Sequence, residues 1–131
     1  MSLKKITNCL WFDYGVGEQA VEHYTSIFTD SKVIGKNYYP ESGQDIHGAK
    51  PGSVMSISFE LQGHTFLALN GGPIFKFTPA NSYMVMCKDQ AEVDYFWEKL
   101  GEGGEYMPCG WLNDKFGVSW QVRDRCPAQC L

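Results

Sequence analysis

The chain has 131 residues, of which 44% are hydrophobic, 15% aromatic and 20% charged; this excludes a disordered or fibrous chain and suits one domain that buries about two thirds of its unfolded surface. A formal net charge of -4 and a pI near 5.3 provide no basic field for phosphates, so a nucleic-acid partner is not expected. The N-terminus has no apolar signal-peptide core, and no run reaches the roughly 18 apolar residues of a membrane span, which points to a soluble, cytoplasmic protein with no membrane partner.

In chain order, Ile6 to Phe12 alternates Ile6, Leu10 and Phe12 against Thr7, Cys9 and Trp11, the period of a strand with one core face and one face free for function. Gly17 to Phe28 places Val21, Tyr24, Ile27 and Phe28 at helical spacing, and Thr29-Asp30-Ser31 ends that helix. Lys32 to Tyr39 reads as a strand, followed by a polar, glycine-containing loop from Pro40 to Pro51. Val54 to Leu61 and Thr65 to Leu69 then flank Gln62-Gly63, the strongest hairpin turn in the chain.

Asn70-Gly71-Gly72-Pro73 reads as a linker to a second unit. Tyr83 to Cys87 is a strand, and Asp89 caps a helix from Gln90 to Leu100 with Val93, Phe96, Trp97 and Leu100 as its apolar stripe. Val21, Tyr24 and Phe28 precede Val93, Phe96 and Leu100 by 72 positions each, modest support for a duplicated unit. A short segment near Glu105 to Met107 leads to a hairpin, with strands Trp111 to Lys115 and Ser119 to Val122 around a Lys115-Phe116-Gly117 turn. Trp120 and Val122 face one side of that hairpin and Ser119 and Gln121 the other. Gln121 is therefore either a ligand contact or a hydrogen-bond partner of the next strand. The elements give an α+β fold with helices packed on one face of a curved sheet.

The five cysteines, 9, 87, 109, 126 and 130, lack the paired CxxC spacing of a zinc ribbon or redox motif, so reduced thiols are expected. Cys126 and Cys130 fall in a polar tail, 124–131, which reads as a frayed end. His23 on the first helix, His47 in the long loop and His64 after the hairpin turn show no metal-ligand spacing. His64 shares strand parity with Phe66, Ala68 and Asn70, which would turn it toward a cavity mouth.

Leu10-Trp-Phe, Ser53-Val-Met-Ser-Ile-Ser-Phe-Glu-Leu61, Phe66-Leu-Ala-Leu-Asn-Gly-Gly-Pro73, Phe75-Lys-Phe-Thr78 and Cys109-Gly-Trp-Leu-Asn-Asp-Lys-Phe-Gly-Val-Ser-Trp-Gln121, in a βαβββ order repeated twice, resemble the PhnB-like branch of the vicinal oxygen chelate superfamily, often labelled demethylubiquinone methyltransferase-like. The resemblance runs from about Lys5 to Val122. It implies a single glyoxalase-like domain over 1–131, with module one at about 5–70 and module two at about 80–123, the two forming a curved, cavity-enclosing mixed sheet. It also implies a homodimer, and in many members a divalent metal in the cavity.

By that resemblance the metal ligands fall at Cys9 or Asn8, near Ala68 or Asn70, at Ser82 and at Gln121. None of these is histidine, aspartate or glutamate, whereas a catalytic divalent cation wants about three anionic or imidazole ligands. No metal and no cofactor are expected. A Rossmann-type methyltransferase is also disfavoured, because Gly71-Gly72 leads into Pro73 and Phe75-Lys-Phe rather than a helix.

The sequence therefore favours a small-molecule-binding protein whose concave face carries Cys9, Trp11, Phe66, Asn70, Tyr83 and Gln121, an apolar surface with isolated polar groups. The same aromatic residues also suit plain core packing. The alternatives are a metal-dependent lyase, isomerase or dioxygenase of the vicinal oxygen chelate type, a metal-free enzyme using Cys9, Cys109 or His64, and a dimeric interaction module. The sequence names no ligand.

Overall fold

The computed structural model describes residues 2–43 and 48–124; His47, Cys126 and Cys130 lie outside the described residues. The chain divides into two compact units, Met1–Lys76 and Phe77–Leu131. Each contains one helix and one four-stranded mixed sheet, an α+β arrangement.

The first unit runs β1 (Asn8–Phe12), α1 (Val16–Ile27), β2 (Ser31–Tyr38), β3 (Val54–Leu61) and β4 (His64–Asn70). Its strands lie in the order β1-β4-β3-β2, with β1 parallel to β4 and the other pairs antiparallel. The turn between β3 and β4 places both central residues at positive φ, Gln62 at 47° and Gly63 at 88°, the backbone twist that suits a two-residue hairpin. Ile57, Phe59 and Leu61 of β3 and Phe66 and Ala68 of β4 are buried with Val21, Tyr24 and Ile27 of α1. Tyr24, Phe59 and Phe66 stack in sequence, with centroids 6.4 and 5.1 Å apart. This stack fixes the face that α1 covers.

Helix α1 starts from Gly15, which has no side chain with which to cap it. Asn70 at the end of β4 does that work instead: its Oδ1 accepts the Gly17 N–H at 2.8 Å. A Cβ at Gly17 would stand 2.6 Å from that oxygen, so only glycine permits the approach. Asn70-Gly71-Gly72-Pro73 is fastened to the first unit, since Gly71 and Gly72 both donate to the Phe12 carbonyl; the linker expectation is corrected accordingly.

The second unit runs β5 (Ser82–Cys87), α2 (Gln90–Gly101), β6 (Glu105–Tyr106), β7 (Trp111–Asn113) and β8 (Ser119–Asp124), in the order β5-β8-β7-β6 with β5 parallel to β8. Asp89 caps α2 through the Glu92 N–H at 2.9 Å. The Tyr106 ring lies 4.5 Å from that of Trp97 on α2. Tyr106 is in register with Leu112, Leu112 with Trp120, and Trp120 with Tyr83, so these four side chains share the face that α2 covers. The β7–β8 hairpin closes on Asp114, whose Oδ1 accepts from Phe116 and Val118 N–H and whose Oδ2 accepts from Trp120 Nε1 at 2.8 Å. Cys9 and Cys87 are reduced, as expected, whereas Cys109 is disulfide-bonded, against that expectation. No helix among the described residues is long and apolar enough to cross a membrane.

Candidate functional site

Each sheet has one face under its helix and one face free of it, and register decides which residues occupy the free face. In the first unit Cys9 pairs with Leu67 and Trp11 with Leu69, while Leu67 pairs with Ser58, Leu69 with Ser56 and Thr65 with Glu60. Directly paired residues share a face. The free face therefore carries Cys9, Trp11, Leu67, Leu69, Ser56, Ser58, Glu60 and Thr65.

Phe66 and Asn70 point the other way. Phe66 belongs to the aromatic stack under α1, and the Asn70 side chain is consumed by structure: besides capping α1 it donates from Nδ2 to Glu18 Oε1 at 2.6 Å and to the Val54 carbonyl at 3.0 Å. Both leave the expected set, because the strand parity used to place them lacked the β1–β4 register. His64 shares their parity; it is exposed, bonds Asn8 Oδ1 at 2.6 Å and lies beside the Phe66 ring. It does not join the Cys9 face.

Cys9 and Trp11 do share the free face. Trp11 is held by its Nε1, which donates to the Gly72 carbonyl at 2.8 Å, and by an edge contact with Phe75, centroids 4.8 Å apart. Cys9 is exposed on its edge strand, yet partial burial of its thiol pushes the pKa up. A raised thiol pKa leaves less thiolate at neutral pH and makes a poorer nucleophile.

In the second unit Gln121 pairs with Trp111 and Met84, and Ser82 with Ser119, so Gln121, Ser82, Ser119 and Met84 share the free face. Gln121 Nε2 donates to Ser82 Oγ at 2.9 Å across β8 and β5. That is the cross-strand bond anticipated as one of its two roles, and it leaves Oε1 without a hydrogen-bond partner among the described residues. Tyr83 packs against Trp120 at 5.4 Å on the helix-covered face and does not accompany Gln121.

The strand positions at which the family resemblance places metal donors can now be read with their orientation. On β4 the free-face residues are Leu67 and Leu69 rather than Ala68 or Asn70, and leucine ligates nothing. At these positions the first unit offers one ionisable donor, Cys9, whose thiol pKa is raised by burial, and the second unit offers only the neutral Ser82 and Gln121. Among the described residues, no group of three or more His, Cys, Asp or Glu side chains is placed to hold a metal ion. This donor chemistry does not fit a catalytic divalent cation.

The model of the 3-demethylubiquinone-9 3-methyltransferase family matches residues 4–123. The chain is 36% identical to a PhnB protein from Bacillus cereus, over 92% of this chain and 99% of that one, with a TM-score of 0.78. The chain belongs to this PhnB-like family. Two more distant structures share the fold. A Pseudomonas aeruginosa protein is 20% identical over 94% of this chain and 98% of its own, with a TM-score of 0.71. The fosfomycin resistance protein FosX from Listeria monocytogenes is 15% identical over 95% and 94%, with a TM-score of 0.56. No curated protein matches the chain. Within the PhnB-like family frame, sequence reasoning missed Ser56, Ser58 and Glu60 of β3. Their period-two alternation with Ile57, Phe59 and Leu61 was the available signal.

Proposed function

We propose that this PhnB-like protein binds a small organic molecule on the free faces of its sheets without a divalent metal. The observation that carries this reading is the chemistry at the strand positions where the family resemblance places metal ligands: the first sheet offers Cys9, Leu67 and Leu69 there, and the second offers Ser82 and Gln121. On the first sheet Trp11, Leu67 and Leu69 provide apolar contact beside Ser58, and on the second the Oε1 of Gln121 provides a hydrogen-bond acceptor; apolar surface with isolated polar groups suits a ligand site on either sheet. Cys9, Trp11 and Gln121 are the proposed contacts that remain from the sequence-based set.

The methyltransferase description of the family is not carried over as this chain's chemistry. Two mixed four-stranded sheets replace the doubly wound parallel sheet on which a Rossmann-type methyltransferase builds its cofactor site. The raised thiol pKa of Cys9 likewise disfavours a nucleophilic-cysteine enzyme.

A homodimer accompanies this reading, in a cytoplasmic setting. Strands β1, β2, β5 and β6 are sheet edges, and Met84 and Met86 on β5 are exposed at 52% and 42%. Pairing chains is a common way to cover such edges. Sedimentation at micromolar concentration should give about twice the chain mass of 14.8 kDa; a monomer alone contradicts the dimer.

A metabolite library screened by thermal shift tests the binding role. At least one organic class should raise the melting temperature in the presence of a chelator, by the few degrees that ligand at about 100 times its Kd produces. The shift should shrink in Gln121→Met or Trp11→Phe. A library in which no compound raises the melting temperature contradicts it.

A further inference from the structure

The free face of the second sheet presents a hydrogen-bond donor and an acceptor side by side. Gln121 Nε2 donates to Ser82 Oγ at 2.9 Å, which leaves two groups of that pair unused: the Oε1 of Gln121, an acceptor, and the hydroxyl proton of Ser82, a donor. Neither makes another hydrogen bond with a described residue. Gln121 is 8% exposed as a whole, yet its Oε1 stays open to solvent rather than sealed in the core. Turning the amide over exchanges the roles without changing the outcome, since Nε2 then becomes the open donor and Ser82 Oγ the open acceptor.

The groups beside this pair are apolar. Trp111 on β7 and Met84 on β5 are the direct cross-strand partners of Gln121, so the three side chains form one row about 10 Å across. Trp111 is half-buried and Met84 is exposed, and both flank the Gln121 amide. The charged residues of this face stand apart from it. Glu105 is in register with Asn113 on the edge strand β6, three strands from Ser82. Arg123 lies two positions along β8 from Gln121 and gives its Nη1 to the Cys109 carbonyl at 3.1 Å. A neutral donor–acceptor pair, oriented by its own internal hydrogen bond between an indole and a thioether, is complementary to an amide that presents N–H and C=O on one edge.

We propose that the free face of the second sheet recognises a neutral primary carboxamide or lactam carried on a flat apolar body. The ligand N–H donates to Gln121 Oε1, its carbonyl accepts from the Ser82 hydroxyl, and its ring lies along Trp111 and Met84. This deepens the small-molecule reading above and rests on it. It assigns that reading a sheet and a ligand class.

The test titrates the whole protein, followed by amide chemical shifts, with three probes that share a phenyl ring: benzamide, N,N-dimethylbenzamide, which has no N–H, and benzoate, which carries a charge in place of the amide. Benzamide should bind with shifts centred on β5 and β8, at least about fivefold tighter than either of the others. Gln121→Met should abolish that preference. Ser82→Ala, a smaller change on the edge strand, should weaken benzamide at least about threefold. Equal affinity for the three probes, tighter binding of benzoate, no binding of benzamide, a preference retained in Gln121→Met, or unchanged benzamide binding in Ser82→Ala would each overturn the proposal. Binding of other compound classes in the thermal-shift screen would leave the broader reading standing in any of those cases.

Discussion

Asn70 Oδ1 accepts the Gly17 N–H at 2.8 Å, so a residue at the end of β4 supplies the cap that Gly15 cannot provide to α1. The Asn70 amide is fully used, with Nδ2 shared between Glu18 and the Val54 carbonyl, and the side chain is 1% exposed. Replacing it strands a helix N–H and a buried carbonyl together. Asn70→Ala should cost about 2–3 kcal/mol in urea denaturation. Asn70→Asp should also destabilise, because it sets a second acid against Glu18; a change within about 0.5 kcal/mol for both variants would show that the cap is dispensable.

A second anchor holds the β7–β8 hairpin. Asp114 is 3% exposed and accepts from two backbone N–H groups and from Trp120 Nε1. Asp114→Ala leaves three donors without their acceptor and should cost about 3 kcal/mol or more. Trp120→Phe removes one donor and some area, and should cost about 2–3 kcal/mol. The two losses overlap through one bond, so a double-mutant cycle should return a coupling of about 1 kcal/mol or more. Strict additivity would deny the Asp114–Trp120 contact its role.

Cys9 provides a pH-dependent readout. Burial keeps the proton on its thiol above the ordinary value of 9.0, so between those two values the folded chain binds more protons than the unfolded one. The contribution of this group to stability is therefore fully present below the ordinary value and is lost as pH rises through the folded value. Peptide-resolved iodoacetamide labelling should place the alkylation midpoint of Cys9 higher in the folded protein than in the denatured chain. A lower midpoint would mark an activated nucleophile and revive the cysteine enzyme.

The elements themselves were readable because their periodicities are strong. Val54 to Leu61 alternates cleanly and appears with those bounds, and Gln62-Gly63 and Asp89 form the turn and cap expected of them. Opposite faces for Trp120 and Gln121 followed from the same alternation. What failed was the choice of face on β4 and β5. Alternation separates Phe66 and Asn70 from Leu67 and Leu69 but does not tell which pair accompanies Cys9, because the parallel β1–β4 register is set by a non-local pairing. The apolar character of Phe66 and Tyr83 suits either face. Asn70 looked like a ligand group because nothing in the sequence announces that Gly15 leaves α1 uncapped.

Once Leu67 and Leu69 replace Ala68 and Asn70 on the free face, β4 has no donor to give, and Ser82 and Gln121 bond each other at 2.9 Å. Elemental mass spectrometry of the whole protein, incubated with manganese, iron, nickel and zinc and then dialysed, tests this most directly. Well under one equivalent of each metal is the expected result; one equivalent per chain, resistant to dialysis and lost in Gln121→Leu, would contradict a metal-free site and bring the metal-dependent lyase or dioxygenase chemistry of the superfamily to the front.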